Sequence, residues 1–146
     1  MDFLTALRTS SSGLTAQRVR MNIISANLAN VETTRTPEGG PYRRRDVIFT
    51  ATPIEDSFES ILKSQMREEI HQVEVTGIFY DESPPKLSYD PGHPDADEMG
   101  YVTLPNISVI GEMVNMLSAT RSYEANVTAI NATKSMALKA LEIGSV

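Results

Sequence analysis

The stretch Asp90-Pro91-Gly92-His93-Pro94-Asp95-Ala96-Asp97-Glu98 concentrates a histidine and several carboxylates, a set that can hold a divalent cation. Its spacing argues otherwise. A calcium loop of the EF-hand kind needs a glycine after its third ligand and a closing glutamate, and Pro91 and Pro94 make a fixed, solvated turn the simpler account. Nucleophilic catalysis has little to work with, because neither His71 nor His93 lies in a nucleophile motif that would orient a serine. Gly39 and Gly40 precede Pro41 in no phosphate-loop pattern and read as a turn. Arg43, Arg44 and Arg45 suit an acidic partner or, equally, a charged strand edge that discourages mispairing. Asn22, Asn27 and Asn30 lie off the apolar stripe of their segment, and Asn27 and Asn30 share one helix face. They either cap a helix end or hydrogen-bond the backbone of the following loop or of a neighbouring subunit. No residue set calls for a cofactor or a metal.

The elements that position these residues are two helical ends and a different middle. Leu7, Leu14, Met21 and Leu28 recur at intervals of seven, with Phe3, Ile24 and Val31 on the adjoining edge, which predicts an N-terminal helix within residues 1–34. That helix is weak alone. Ser10, Ser11, Ser12 and Gly13 sit in its interior, where a glycine costs about 1 kcal/mol relative to alanine, so it needs a partner surface. In residues 106–146, Val109, Met113, Met116, Thr120, Tyr123, Val127, Ile130, Lys134, Ala137 and Leu141 alternate at spacings of four and three. This is an a/d seam, with Pro105 before it, Asn106 or Ser108 as cap and Gly144 as stop. The C-terminal helix would run roughly 50 Å and the N-terminal one roughly 40 Å at 1.5 Å per residue. Thr120 and Lys134 make the seam polar in places, which suits register and partner choice, and Met113, Met116 and Met136 read as adaptable packing.

Residues 35–105 hold all eight prolines. Two strands are expected there, over Val47 to Ala51 and His71 to Phe79, and a short helix around Phe58, Ile61, Leu62 and Gln65. The fold class expected is therefore mainly α, with long terminal helices pairing as a coiled coil around a small β-rich insertion.

A net charge of −6 disfavours nucleic acid or an anionic membrane as the main partner. Cysteine is absent, which removes disulfides and thiolate sites. The N-terminus lacks the basic start and apolar run of a cleaved secretory signal, and no segment reaches the roughly 20 apolar residues of a membrane span. A cytoplasmic coiled-coil adaptor fits these features too, and a metal-dependent hydrolase built on 90–98 is a third class.

Ser25-Ala26-Asn27-Leu28-Ala29-Asn30 resembles the signature near the N-terminus of the flagellar rod and hook axial proteins. Thr34 to Arg44, Tyr89 to Glu98, Gly100-Tyr101-Val102, Pro105-Asn106, Glu112 to Met116, Arg121 to Asn126 and Lys134-Ser135-Met136 resemble the proximal-rod members of that family, while Val31-Glu32 departs where small residues are usual. The resemblance runs from end to end. It implies a non-enzymatic structural subunit of the basal-body rod, a periplasmic drive shaft for motility. Export would follow the flagellar type III apparatus, without a cleaved signal. The implied partners are further copies of the chain, the rod proteins FlgB, FlgF and FlgG, and the adaptor FliE, with the terminal helices forming the inner layer. On this reading Asn27, Leu28 and Asn30 carry the family motif. The contact residues would be Leu7, Leu14, Met21 and Leu28 at one end, and Met113, Met116, Tyr123, Val127, Ile130 and Leu141 at the other.

Overall fold

In the computed structural model, residues 3–54 and 70–144 are described. Helix α1 spans Phe3–Ala29, followed by strands β1 (Arg45–Pro53), β2 (His71–Tyr80), β3 (Lys86–Tyr89) and β4 (Tyr101–Leu104), and helix α2 spans Val109–Gly144. The architecture is mainly helical with a β-rich middle. The short helix expected around Phe58 to Gln65 lies outside the described residues.

α1 and α2 run antiparallel, because contact partners rise on one as they fall on the other. Gly13 meets Asn126, the Thr120 hydroxyl lies 3.7 Å from Met21 Sδ, and Asn27 bonds Glu112. A Cβ on Gly13 would lie 2.9 Å from the Asn126 amide nitrogen, so glycine sets how close the helices come. Ala16 and Ala119, small residues of the two helices, are buried. The Ser10 to Gly13 run that weakens α1 locally is thus where the helix takes close neighbours. Ser12 adds one on the sheet, its Oγ accepting the Val73 N–H at 3.1 Å. Thr9 and Thr15 return their hydroxyls to carbonyls one turn back and need no outside partner. Ser108 caps α2, its Oγ accepting the Gly111 N–H at 3.2 Å.

β1 and β2 pair antiparallel from Arg45 opposite Tyr80 to Pro53 opposite His71, with a register shift between Ile48 and Phe49. Both strands pack on α1. β3 and β4 form a second antiparallel pair, Lys86 opposite Leu104 through Tyr89 opposite Tyr101. Gly100 closes the loop between them at φ +82°, where an added Cβ would press Tyr89 and Pro91. The apolar core among the described residues is thin: Ala16, Ile24, Tyr42, Val102, Ile107 and Ala119. So small a core leaves polar bonds to join the parts.

Candidate functional site

Asn27, in the last turn of α1, is fully buried, and the start of β1 and the first turn of α2 converge on it. Its Nδ2 donates to the Arg45 carbonyl at 2.8 Å and to Glu112 Oε2 at 3.0 Å. Its Oδ1 accepts the Arg45 N–H at 3.0 Å and the Tyr42 hydroxyl at 3.2 Å. Both donors and both lone pairs are therefore used. The Glu112 carboxylate is likewise buried and takes the Arg44 Nε–H on its other oxygen at 2.9 Å. A terminal nitrogen of Arg44 reaches Asp46 at 3.0 Å. Burial works against the charge on Arg44, but the bonds and charges of Glu112 and Asp46 outweigh it and raise its pKa. Arg45 stacks its guanidinium over Tyr42 and Tyr80, 5.4 and 5.2 Å from the ring centroids. The basic run thus works inside the chain at Arg44 and Arg45, while Arg43 is exposed. Asn30 does cap the helix, its Nδ2 donating to the Ala26 carbonyl at 2.8 Å.

Leu7, Leu14, Met21 and Leu28 on α1, and Met116, Tyr123, Val127 and Ile130 on α2, are half-buried, whereas Met113 and Leu141 stand 59% and 70% exposed. The side of α2 with least exposure carries Glu112, Met116, Ala119, Tyr123, Asn126, Ile130, Thr133 and Ala137. One of its two rows, Met116 to Ala137, belongs to the periodic seam. The other is polar or small and escapes a search for apolar repeats. The opposite side of the first turns presents Ile110, Met113, Val114 and Leu117 to solvent. Met136, Leu138, Leu141 and Ile143 are exposed at the far end.

The 90–98 loop is held by its own turns. Asp97 Oδ1 accepts the N–H groups of Met99 and Tyr101, and His93 Nδ1 accepts that of Asp95. Asp95 ties the loop to the α1 exit, accepting the Thr34 hydroxyl at 2.7 Å and pairing with Arg35 at 3.1 Å. Among the described residues no cluster of His, Cys, Asp or Glu is placed to hold a metal, and no helix is long and apolar enough to cross a membrane.

Residues 7–35 match the family described as flagella basal body rod protein, and residues 98–143 match the C-terminal family of the flagellar basal body rod FlgEFG proteins. The chain is 47% identical to the flagellar basal-body rod protein FlgC of Borreliella burgdorferi, over 98% of each chain. It is 51% identical to FlgC of Bacillus subtilis, over 95% of this chain and 96% of that one. With FlgC of Escherichia coli O6:H1 it shares 40% over 99% of both. The chain belongs to the FlgC family. It is accordingly a structural protein of the flagellar basal-body rod. The two matched stretches of this FlgC-family chain are α1 with its exit, and β4 with α2. The Asn27 to Glu112 bond joins those two stretches directly. Sequence reasoning singled out Asn27 in the motif of the rod and hook axial proteins but gave Glu112, Tyr42 and Arg44 no partner within the chain. Nothing in the local pattern distinguishes a buried carboxylate in a first helical turn from a solvated one.

Proposed function

We propose that the chain polymerises in the rod through its terminal helices, with the outward side of α2 as a principal contact to neighbouring subunits. The observation that carries this is the contiguous exposed apolar set Ile110, Met113, Val114 and Leu117, continued at the edge by Val109. A lone chain leaves that set in water, where each such side chain forfeits roughly 1.5 to 3 kcal/mol available on burial. In a polymer the gain recurs at every copy. The neighbours in this reading are other copies and the rod proteins FlgB, FlgF and FlgG, with FliE at the base. The rod would cross the periplasm, and the chain would arrive by the flagellar export route without a cleaved signal. It would have no catalytic role. The half-buried residues Met21, Tyr123, Val127 and Ile130 would then serve first to hold the two helices of one chain together.

The reading is tested by complementing a strain that lacks the chain with Val114→Asp and Leu117→Asp, using Glu82→Ala on the β2–β3 connection as control. Export is measured separately by secretion. The expected outcome is an exported chain, incomplete rods and no swimming for the helix variants, with normal swimming for the control. Exported Val114→Asp and Leu117→Asp chains that both build complete rods would overturn it.

A further inference from the structure

Over its first turns, α2 buries a polar residue and exposes apolar ones. Toward α1 it turns Glu112, Ala119 and Asn126 together with Met116 and Tyr123, while half a helical turn away Ile110, Met113, Val114 and Leu117 face solvent. Over these turns apolar burial alone favours the reverse facing, whereas farther along the outer side carries Arg121, Glu124 and Thr128. In the first turns, what opposes the reverse facing is concentrated at one residue. Glu112 places one carboxylate oxygen on Asn27 Nδ2 at 3.0 Å and the other on Arg44 Nε at 2.9 Å, with the Asn115 amide at 3.5 Å. Turning α2 by half a helical turn would strand that carboxylate in solvent, leave Arg44 with Asp46 alone and leave an Asn27 donor unpaired.

We infer that Glu112 is the positioning residue that selects the facing of the first turns of α2, holding its own side on α1 so that Ile110, Met113, Val114 and Leu117 stay outward. Buried polar contacts commonly trade burial for a single arrangement in this way, and here the arrangement is rotational. The device would keep the outer side of a single chain from collapsing onto its own α1. It rests on the assembly reading only for what the outer side is used for. The facing itself belongs to the isolated chain.

The chain has no cysteine, so a single introduced thiol reports the environment of its position. Val114→Cys marks the outer side, where the native residue is 61% exposed, and Ala119→Cys marks the inner side, where it is 0% exposed. With Glu112 intact, Val114→Cys should react with a maleimide at least about tenfold faster than Ala119→Cys, since the inner thiol reacts only on local opening. Adding Glu112→Leu, which fills the site without the carboxylate, should abolish or invert that ratio while circular dichroism shows both helices retained. Glu112→Gln keeps an acceptor for Asn27 and should preserve the ratio. A helical Glu112→Leu chain with an unchanged ratio would overturn the proposal and assign the facing to the close packing at Gly13, Ala16 and Ala119. Loss of helix in Glu112→Leu would overturn it too, making Glu112 a stability element. Because the assay uses the monomer, its failure is distinct from a failure of the outer side to assemble.

Discussion

Asn27 serves three elements with one amide, so its removal reaches beyond one helix turn. Asn27→Ala leaves the Arg45 N–H, the Arg45 carbonyl and one Glu112 oxygen without their partner in a buried site. A buried group left unsatisfied costs about 1 to 3 kcal/mol, and the chain should lose about 3 kcal/mol in urea melts. Tyr42→Phe is milder. Asn27 Oδ1 keeps the Arg45 N–H, and the expected loss at neutral pH is about 1 kcal/mol. The same variant has a pH signature. Burial raises the Tyr42 pKa above its ordinary 10.0, against the lowering by Arg45, so the folded chain favours the neutral phenol. That contribution is complete below pH 10.0 and is lost as pH climbs through the raised value. Melts across that range should show a shallower alkaline decline for Tyr42→Phe than for the native chain. Asn27 was legible as a residue to watch, since a polar amide repeats near the end of an apolar stripe. Its partner Glu112 lies 85 positions along the chain, a distance that no periodicity spans.

At the scale of elements, helix positions were readable where apolar residues repeat, and the facing of α2 only in part. Periodicity assumes that apolar means inward. In α2 the inward row Glu112, Ala119, Asn126 and Thr133 is polar or small, because close approach and hydrogen bonding select it. Gly13 shows the same limit. By propensity it is a defect worth about 1 kcal/mol, yet it faces Asn126 so closely that an added Cβ would have to displace the Asn126 amide, 2.9 Å away. Gly13→Ala should fall within about 1 kcal/mol of the native chain, as helix propensity offsets displacement of the Asn126 amide. Gly13→Val lacks that offset and should cost about 2 kcal/mol. Adding Asn126→Ala should recover about half of the loss, measured as a double-mutant cycle. Additive losses would place the helices farther apart than described. β1 and β2 were legible from alternation, while β3 and β4, at four residues each, are too short to show any.

Across the whole molecule, stability should be graded along the helices. Ala16 to Asn27 and Glu112 to Tyr123 include the buried positions of both helices, whereas Met136, Leu138, Leu141 and Ile143 are exposed. Amide exchange on the monomer should protect 16–27 and 112–123 and leave 136–144 close to unprotected. Uniform protection to the end of α2 would contradict the thin core. The end-to-end FlgC-family match explains why so much apolar surface is left outward, since a rod protein is incomplete as a single chain. The measurement that tests this most directly is photo-cross-linking in purified basal bodies, with a photoreactive residue at Leu117 or, as control, at Glu82. Adducts to another rod subunit are expected from Leu117 and none from Glu82. Assembled rods that give no inter-subunit adduct from Leu117 would contradict it.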